Sequence, residues 1–241
     1  MGQKVRPTGL RLGITEEWRS RWYANKKEFS ELLVEDFRIR EFVKQNYGFA
    51  AISKIEIERD SEEVKVILYS ARPGLIIGRK GQEVETLKKR LEKLSGRQIN
   101  VQIQEVPRPE LNAQLVAEGV REQLERRGPF RRTLKRALEQ TMDAGAKGVR
   151  IRLAGRLGGA EMSRTEQQAA GSIPLQTLRA KVDYGFAEAH TTYGHLGIKV
   201  WICTGQKRER EVVYGLDAKK SKAPQEPARS SAGPGRTGQQ G

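Results

Sequence analysis

The chain is nearly devoid of cysteine. Cys203 stands alone among 241 residues, so no intrachain disulfide can form and a reducing compartment is expected. Histidine is almost as scarce: His190 and His195 are the only two. A structural zinc centre needs about four N or S ligands, so no metal site is expected and the pair reads as structural or surface residues. No apolar run approaches the ~20 residues that span a bilayer. The opening MGQKVRPTGLRLG lacks the apolar stretch of a signal peptide, and Arg6 stands where a myristoylation motif requires Ser or Thr. Neither export nor a membrane is expected. Acid is also short, with 30 Asp plus Glu against 45 Lys plus Arg and a net charge of +15. Such an excess is a statement about partners, and an anionic polymer, nucleic acid before membrane, is the economical one.

What is present falls into four stretches. Residues 1–16 are basic, carry Pro7, Gly9 and Gly13, and read as an extended arm. Residues 17–108 follow as one unit. In it Leu32, Leu33, Phe37, Phe42 and Val43 recur at helical spacing behind Ser30 as a candidate N-cap. AISKIEIER and EVKVILYSA then alternate as strands about a turn at Asp60-Ser61. Val84, Leu87, Leu91 and Leu94 describe one helix face that Gly96 ends, and QINVQIQEV closes the unit as a strand. PRPE at 107–110 punctuates the boundary. A second α+β domain is expected over 109–215, with helices at 111–127 and 130–144 split by Gly128-Pro129, then short strands in GVRIRLAG, LRAKVDYG and LGIKVWICTG. Residues 216–241 are Pro, Gly, Ser, Gln and charge, too polar to offset ordering entropy, and read as a disordered basic tail. No internal repeat is found.

Residues 71–85, ARPGLIIGRKGQEVE, place two cations, Arg79 and Lys80, between Gly78 and Gly81. A helix starting behind glycines offers N–H groups and a positive dipole end to a phosphate, and the missing Cβ admits a backbone closely. Ile76, Ile77 and Val84 would floor an apolar groove for unstacked bases. The bland alternative is a helix-connecting turn with solvated cations. Between helix–strand–strand and helix–strand, however, G-x-x-G becomes a specific signal for a clamp on about four nucleotides.

A second basic constellation lies at 130–142. On a helical wheel Phe130, Leu134, Ala137, Leu138 and Thr141 share one face, and Arg131, Arg132, Lys135 and Arg136 the other, with Glu139 the only near acid. Arg126 and Arg127 precede the break. A charged solvent face is ordinary, but balancing acids are few. The helix after G-x-x-G, by contrast, pairs Glu85 with Lys89 and Lys88 with Glu92. GRLGGA at 155–160 fits neither GxxxxGK[ST] nor GxGxxG, so no nucleotide cofactor is expected. Arg156 with Arg164 reads equally as a nucleic-acid contact or as a tight strand turn. Cys203 in KVWICTG reads as a small core residue. Tyr184, Tyr193 and Trp201 can stack on bases, though core packing is favoured for each. Trp18 and Trp22 serve either for stacking or as a clasp onto the 17–108 unit. No nucleophile–base or carboxylate constellation stands out, so no catalytic residue is expected.

The element order resembles a type II KH domain, and with MGQKVRPTGLRLGI, QLERR, FRRTLKRA, GAKGVRIRLAGRLGGAEMSRTE and EAHTTYGHLGIKVWI the chain over 1–205 resembles the bacterial S-three family of the small ribosomal subunit. The resemblance implies an α+β fold in two domains: KH helices on a three-stranded mixed sheet, then two helices on a mainly antiparallel sheet. It implies a non-enzymatic constituent of the cytoplasmic small subunit that binds 16S rRNA in the head and lines the pore through which mRNA enters. Arg131, Arg132 and Lys135 occupy the positions that in the family line that pore and support unwinding of structured messages. Lys4, Arg6, Arg11, Arg126, Arg127, Arg136, Arg156 and Arg164 are candidate rRNA contacts. S-ten and S-fourteen in the head and S-four and S-five at the pore are the implied neighbours, without homo-oligomerisation. QQAAGS after Arg164-Thr165-Glu166 departs from the aromatic and basic residues often found there in the family, which puts any RNA contact of that segment in doubt. The rival reading is a free KH protein acting as an RNA chaperone or regulator.

Overall fold

The computed structural model describes residues 5–60 and 63–206, apart from the Lys80 side chain. Lys4, the Ser61 half of the expected turn and the tail at 216–241 therefore lie outside the described residues. The expected α+β architecture is present. The first sheet has the order β1–β2–β3–β4, from β1 (Ser20–Arg21), β2 (Ile52–Arg59), β3 (Glu63–Ser70) and β4 (Gln98–Glu105). β2 and β3 form the expected antiparallel hairpin, and β4 runs parallel to β3. The sheet has four strands and not three, because β1, too short to show an alternation, pairs parallel to β2 through Ser20 and Arg21.

Three helices complete this domain. Helix α2 (Phe29–Tyr47) begins two residues earlier than Ser30 would cap it, with Glu28 as its N-cap. Its buried stripe is Leu32, Asp36, Ile39, Val43 and Tyr47, spaced at one helical face. Leu33 and Phe37, expected in that stripe, are 50% and 64% exposed. The polar Asp36 holds the central core position because its charge is matched. Its Oδ1 accepts from Arg59 Nε (2.9 Å) and Nη2 (2.6 Å), its Oδ2 from Ser20 Oγ and Trp22 Nε1 at 2.9 Å each. Trp22 is thus a clasp onto the domain. Helices α3 (Pro73–Ile77) and α4 (Gln82–Ser95) link β3 to β4, and Leu87 and Leu91 bury completely. Gly96 ends α4 at φ 66° and donates to Glu92, the left-handed cap expected there.

The second sheet, β6–β5–β8–β7, is antiparallel throughout and comprises β5 (Gly148–Gly155), β6 (Arg164–Gly171), β7 (Ala180–Thr191) and β8 (Gly194–Gln206). Helices α5 (Ala113–Glu125) and α6 (Phe130–Asp143) cover one face. Val149, Ile151, Leu153, Ile198, Val200 and Ile202 meet Val120, Leu124 and Leu134 there. Asn112 caps α5 by accepting from Gln114 and Leu115 N–H, and Asp183 accepts from Ala113 N at 2.8 Å. This helix start presses on β7 so closely that a Cβ on Gly185 would run into the Ala113 carbonyl.

The arm is not extended. Pro7–Arg11 forms a short helix, α1, with Pro7 in its first turn, and it packs on β7. Its anchor is Arg11, fully buried, whose guanidinium donates to the carbonyls of Ala180 (2.7 Å), Pro7, Pro174, Leu175 and Thr177. Burial draws the Arg11 pKa down, and Glu16 and Cys203 act in the opposite sense. Among the described residues no helix is long and apolar enough to cross a membrane.

Candidate nucleic-acid interface

The G-x-x-G loop is shaped by its two glycines. Gly78 takes φ 68° and ψ −172°, and Arg79–Gly81 make one 3-10 turn. Gly81 at φ 81° then starts the 14-residue helix α4. Gly78 is required twice over: its φ is left-handed, and a Cβ would lie 2.5 Å from Glu83 Cγ and 3.3 Å from Glu83 N. The stem of Glu83 therefore packs over the loop. Arg79 is exposed. The three expected groove residues separate: Ile76 is wholly buried in the domain core, Ile77 is 42% exposed and Val84 is half-buried. Ile76 supports the loop from beneath and has no surface for a base, whereas Ile77 and Val84, with exposed Leu75, remain available beside it. Along α4 the Lys88–Glu92 ion pair forms at 3.8 Å.

Helix α6 carries the second constellation on a firmly seated element. Thr133, Leu134 and Thr141 are buried, and Phe130, Ala137, Leu138 and Met142 pack partly against the same core. The cations consequently face out. Arg131 meets Glu166 of β6 at 3.7 Å and Lys135 meets Glu139 at 3.8 Å, but their side chains are 72% and 73% exposed, so each pair contributes about 0–1 kcal/mol. Glu166 is an acid that the wheel of α6 alone does not bring near. Arg132 and Arg136 are exposed and without an ion pair among the described residues. Arg131 and Arg164 both lie over the Phe130 ring, at 5.8 and 5.7 Å, which gathers Arg164 to the start of α6.

Between α5 and α6 the chain turns through a Schellman arrangement. Gly128 N donates to Gln123 O at 2.9 Å and Arg127 N to Leu124 O at 3.0 Å. Arg127 sits at φ 62°, one of two non-glycine residues with positive φ among the described residues. An arginine accepts there a conformation that favours glycine, while Gly128 cannot take a side chain because its Cβ would lie 2.8 Å from the Gln123 carbonyl. Arg126 and Arg127 thus extend the exposed ridge of α6. Arg156 is occupied: it donates to Ala160 O at 2.9 Å within its own turn and to Tyr193 O at 3.3 Å in the β7–β8 turn, and lies over the Tyr193 ring. Arg6 is exposed above Tyr184, whose pKa burial raises and Arg6 lowers. Arg11, expected as an rRNA contact, has no surface to offer and is a clamp between segments. His190 and His195 stack edge-on at 4.3 Å beside the β7–β8 turn, and no group of three metal-ligating residues exists among the described residues. Cys203 is buried with Ala180 and Val182.

Two family models match this arrangement domain by domain: a KH domain over residues 38–111, and the C-terminal domain of ribosomal protein S3 over 120–202. A small ribosomal subunit protein uS3 from Rhodopirellula baltica is 58% identical over 235 residues, covering 95% of this chain and 99% of its own length. The chain belongs to the uS3 family. The uS3 proteins of Desulforudis audaxviator and Clostridium botulinum are 56% and 53% identical, each over 86% of this chain and 94% and 93% of their own lengths. The family is one of ribosomal proteins and not of enzymes. Its KH module brings an RNA-binding element to this chain.

Proposed function

We propose that the chain is a structural constituent of the small ribosomal subunit that binds 16S rRNA in the head and lines the pore through which mRNA enters. Membership of the uS3 family along almost the whole chain supports the assembly. The observation that carries the pore assignment is the ridge of α6: Arg131, Arg132, Lys135 and Arg136 project from a helix whose other face is locked in the core. A ridge of cations holds a strand by its phosphates, without base readout, so the strand remains free to advance. Arg131, Arg132 and Lys135 contact the message, assisting its binding and the opening of structured segments without nucleotide hydrolysis. Arg126, Arg127, Arg136, Arg164 and Arg6, with Lys4 from the sequence, hold rRNA, and Arg156 shapes its turn. The G-x-x-G loop takes single-stranded RNA. S-ten, S-fourteen, S-four and S-five are the neighbouring proteins in the cytoplasmic subunit, and the chain is present there as one copy.

The test is sedimentation of the tagged chain from an extract after a high-salt wash. Near-stoichiometric retention with the small subunit supports the reading, because loose cationic binding is stripped as counterions return. Recovery at the top of the gradient favours a free KH chaperone. For the pore, Arg131→Ala with Arg132→Ala and Lys135→Ala should spare assembly and slow translation of structured messages. Failed assembly, with normal reading of structured messages by the intact subunits that remain, would make α6 an rRNA anchor instead.

A further inference from the structure

The face of the C-terminal sheet turned away from α5 and α6 carries a pattern that neither the loop nor the ridge accounts for. Cross-strand register puts Arg150, Trp201 and Tyr184 in one row and Arg152, Lys199 and Phe186 in the next. Side chains alternate along a strand, so these residues share one face while their neighbours Ile151, Val200 and Ile202 bury under the helices. The N-terminal segment at Arg6, Pro7 and Leu10 and the loop at Leu175 border this face and make it a groove of about 1330 Å³. That exceeds the roughly 300–1,000 Å³ of a small-molecule site.

The cations here are unmatched. Among the described residues no carboxylate pairs with Arg6, Arg150, Arg152 or Lys199, and Arg150 bonds the neutral Gln167 Oε1 at 2.7 Å. Tyr184 and Trp201 lie with centroids 5.5 Å apart, Arg150 is 5.4 Å from the Trp201 ring centre and Arg6 is 6.0 Å from that of Tyr184. Each ring is thus accompanied by a cation that can turn to a phosphate and leave the ring face to a base. Rings and cations stand side by side on this face, as bases and phosphates do along a nucleotide strand, which favours RNA over an acidic protein.

We propose that this face is an RNA platform on which Trp201 and Tyr184 stack unpaired bases while Arg6, Arg150, Arg152 and Lys199 hold phosphates. Stacking arrests a strand, so the occupant is a resident one, an unpaired rRNA segment, and not the moving message; the source of the RNA rests on the ribosomal reading above. Arg11 is a positioning residue for this site, since it fixes α1 and the 174–177 loop at the border of the groove.

The experiment is ultraviolet cross-linking of the full chain, mapped by peptide mass spectrometry, to an oligouridylate in solution and to rRNA within small subunits purified from cells expressing the tagged chain. Cross-links at Trp201 or Tyr184 are expected. Arg152→Glu with Lys199→Glu, both exposed, should reduce them roughly tenfold, as expected when phosphates beside a stacking platform are repelled instead of held, at an unchanged melting temperature. If that pair unfolds the chain, Arg152→Gln with Lys199→Gln replaces it. Cross-links confined to the G-x-x-G loop and α6, or unaffected by the substitutions, overturn the platform and leave the face to an acidic protein. Sedimentation separates the two readings: a chain that co-sediments without cross-links at this face rejects the platform alone. A chain that cross-links the oligouridylate here without co-sedimenting keeps the platform and rejects its ribosomal source.

Discussion

Arg59 grips Asp36 through two nitrogens on one oxygen, at 2.9 and 2.6 Å, with side chains only 4% and 0% exposed. The pair joins β2 to α2, and the second Asp36 oxygen draws in Ser20 and Trp22. Removing one member of such a pair strands a buried charge, which costs about 3–5 kcal/mol. Arg59→Met, which strands the Asp36 carboxylate, should therefore lose that much in chemical denaturation; Asp36→Ala, which leaves Arg59 its pair with Glu35 at 3.1 Å, should lose less, and so should Asp36→Leu combined with Arg59→Met. A single-variant loss below about 1 kcal/mol, the worth of a surface pair, would refute a structural role.

Arg11 makes a different kind of bond, a cation shared among carbonyls with no carboxylate among its hydrogen-bond acceptors. Arg11→Met keeps the bulk and strands the carbonyls, and with hydrogen bonds to charge worth about 1.5–3 kcal/mol each a loss of roughly 3 kcal/mol is expected. Trypsin should then cut near Arg6 early, with the KH domain still protected. Arg11→Lys should not restore the clamp, because a compact ammonium lacks the guanidinium's fork of donors. Equal protease resistance in all three proteins would sink this reading.

Glu118 on α5 predicts a pH effect. Burial raises its pKa above the ordinary 4.5, against the opposing bond from Gln114 Nε2 and the charges of Arg121 and Lys44. A carboxyl raised on folding binds its proton more tightly in the folded chain, so stability falls as pH rises from the unfolded value through the folded one. Glu118→Gln removes that loss. Its melting temperature should exceed that of the parent at neutral pH, and the difference should vanish below the ordinary glutamate range. A difference independent of pH would contradict the assignment.

In the G-x-x-G loop, geometry and charge can be tested apart. Gly78→Ala should both destabilise the domain and weaken RNA binding, since a Cβ there meets Glu83. Gly81→Ala meets nothing within 4 Å and should cost only its φ of 81°, about 1 kcal/mol. Arg79→Asp with Lys80→Asp should leave melting unchanged, weaken single-stranded RNA binding, and flatten the log–log salt dependence by about 0.7 for each phosphate no longer neutralised. Unchanged affinity would make the loop purely structural.

Periodicity exposes most of the architecture because most elements bury one face. α4, α6, β3 and β5 are legible in this way, and so is the cationic side of α6. β1 escapes because two residues carry no period, and β6 because RTEQQAAG is a polar strand at a sheet edge, with neither β-branched run nor aromatic after Thr165. Periodicity misplaces the stripe of α2 because an aspartate holds its centre, which only the distant Arg59 makes tolerable. Arg11 falls among the RNA-facing cations for the same reason: its acceptors beyond Pro7 lie past residue 170, and nothing local separates a buried arginine from an exposed one.

That distance also orders the birth of the protein. Arg11 is made 169 residues before Ala180, whose carbonyl it must reach. At the roughly 5–20 residues per second of synthesis, the interval is about 8–34 s. The KH domain can complete its sheet within that time, because β4 ends at Glu105. The first helix of the chain must meanwhile wait unseated, and it is fastened only when β7 has been made. Helix α1 is therefore among the last elements to acquire its native place.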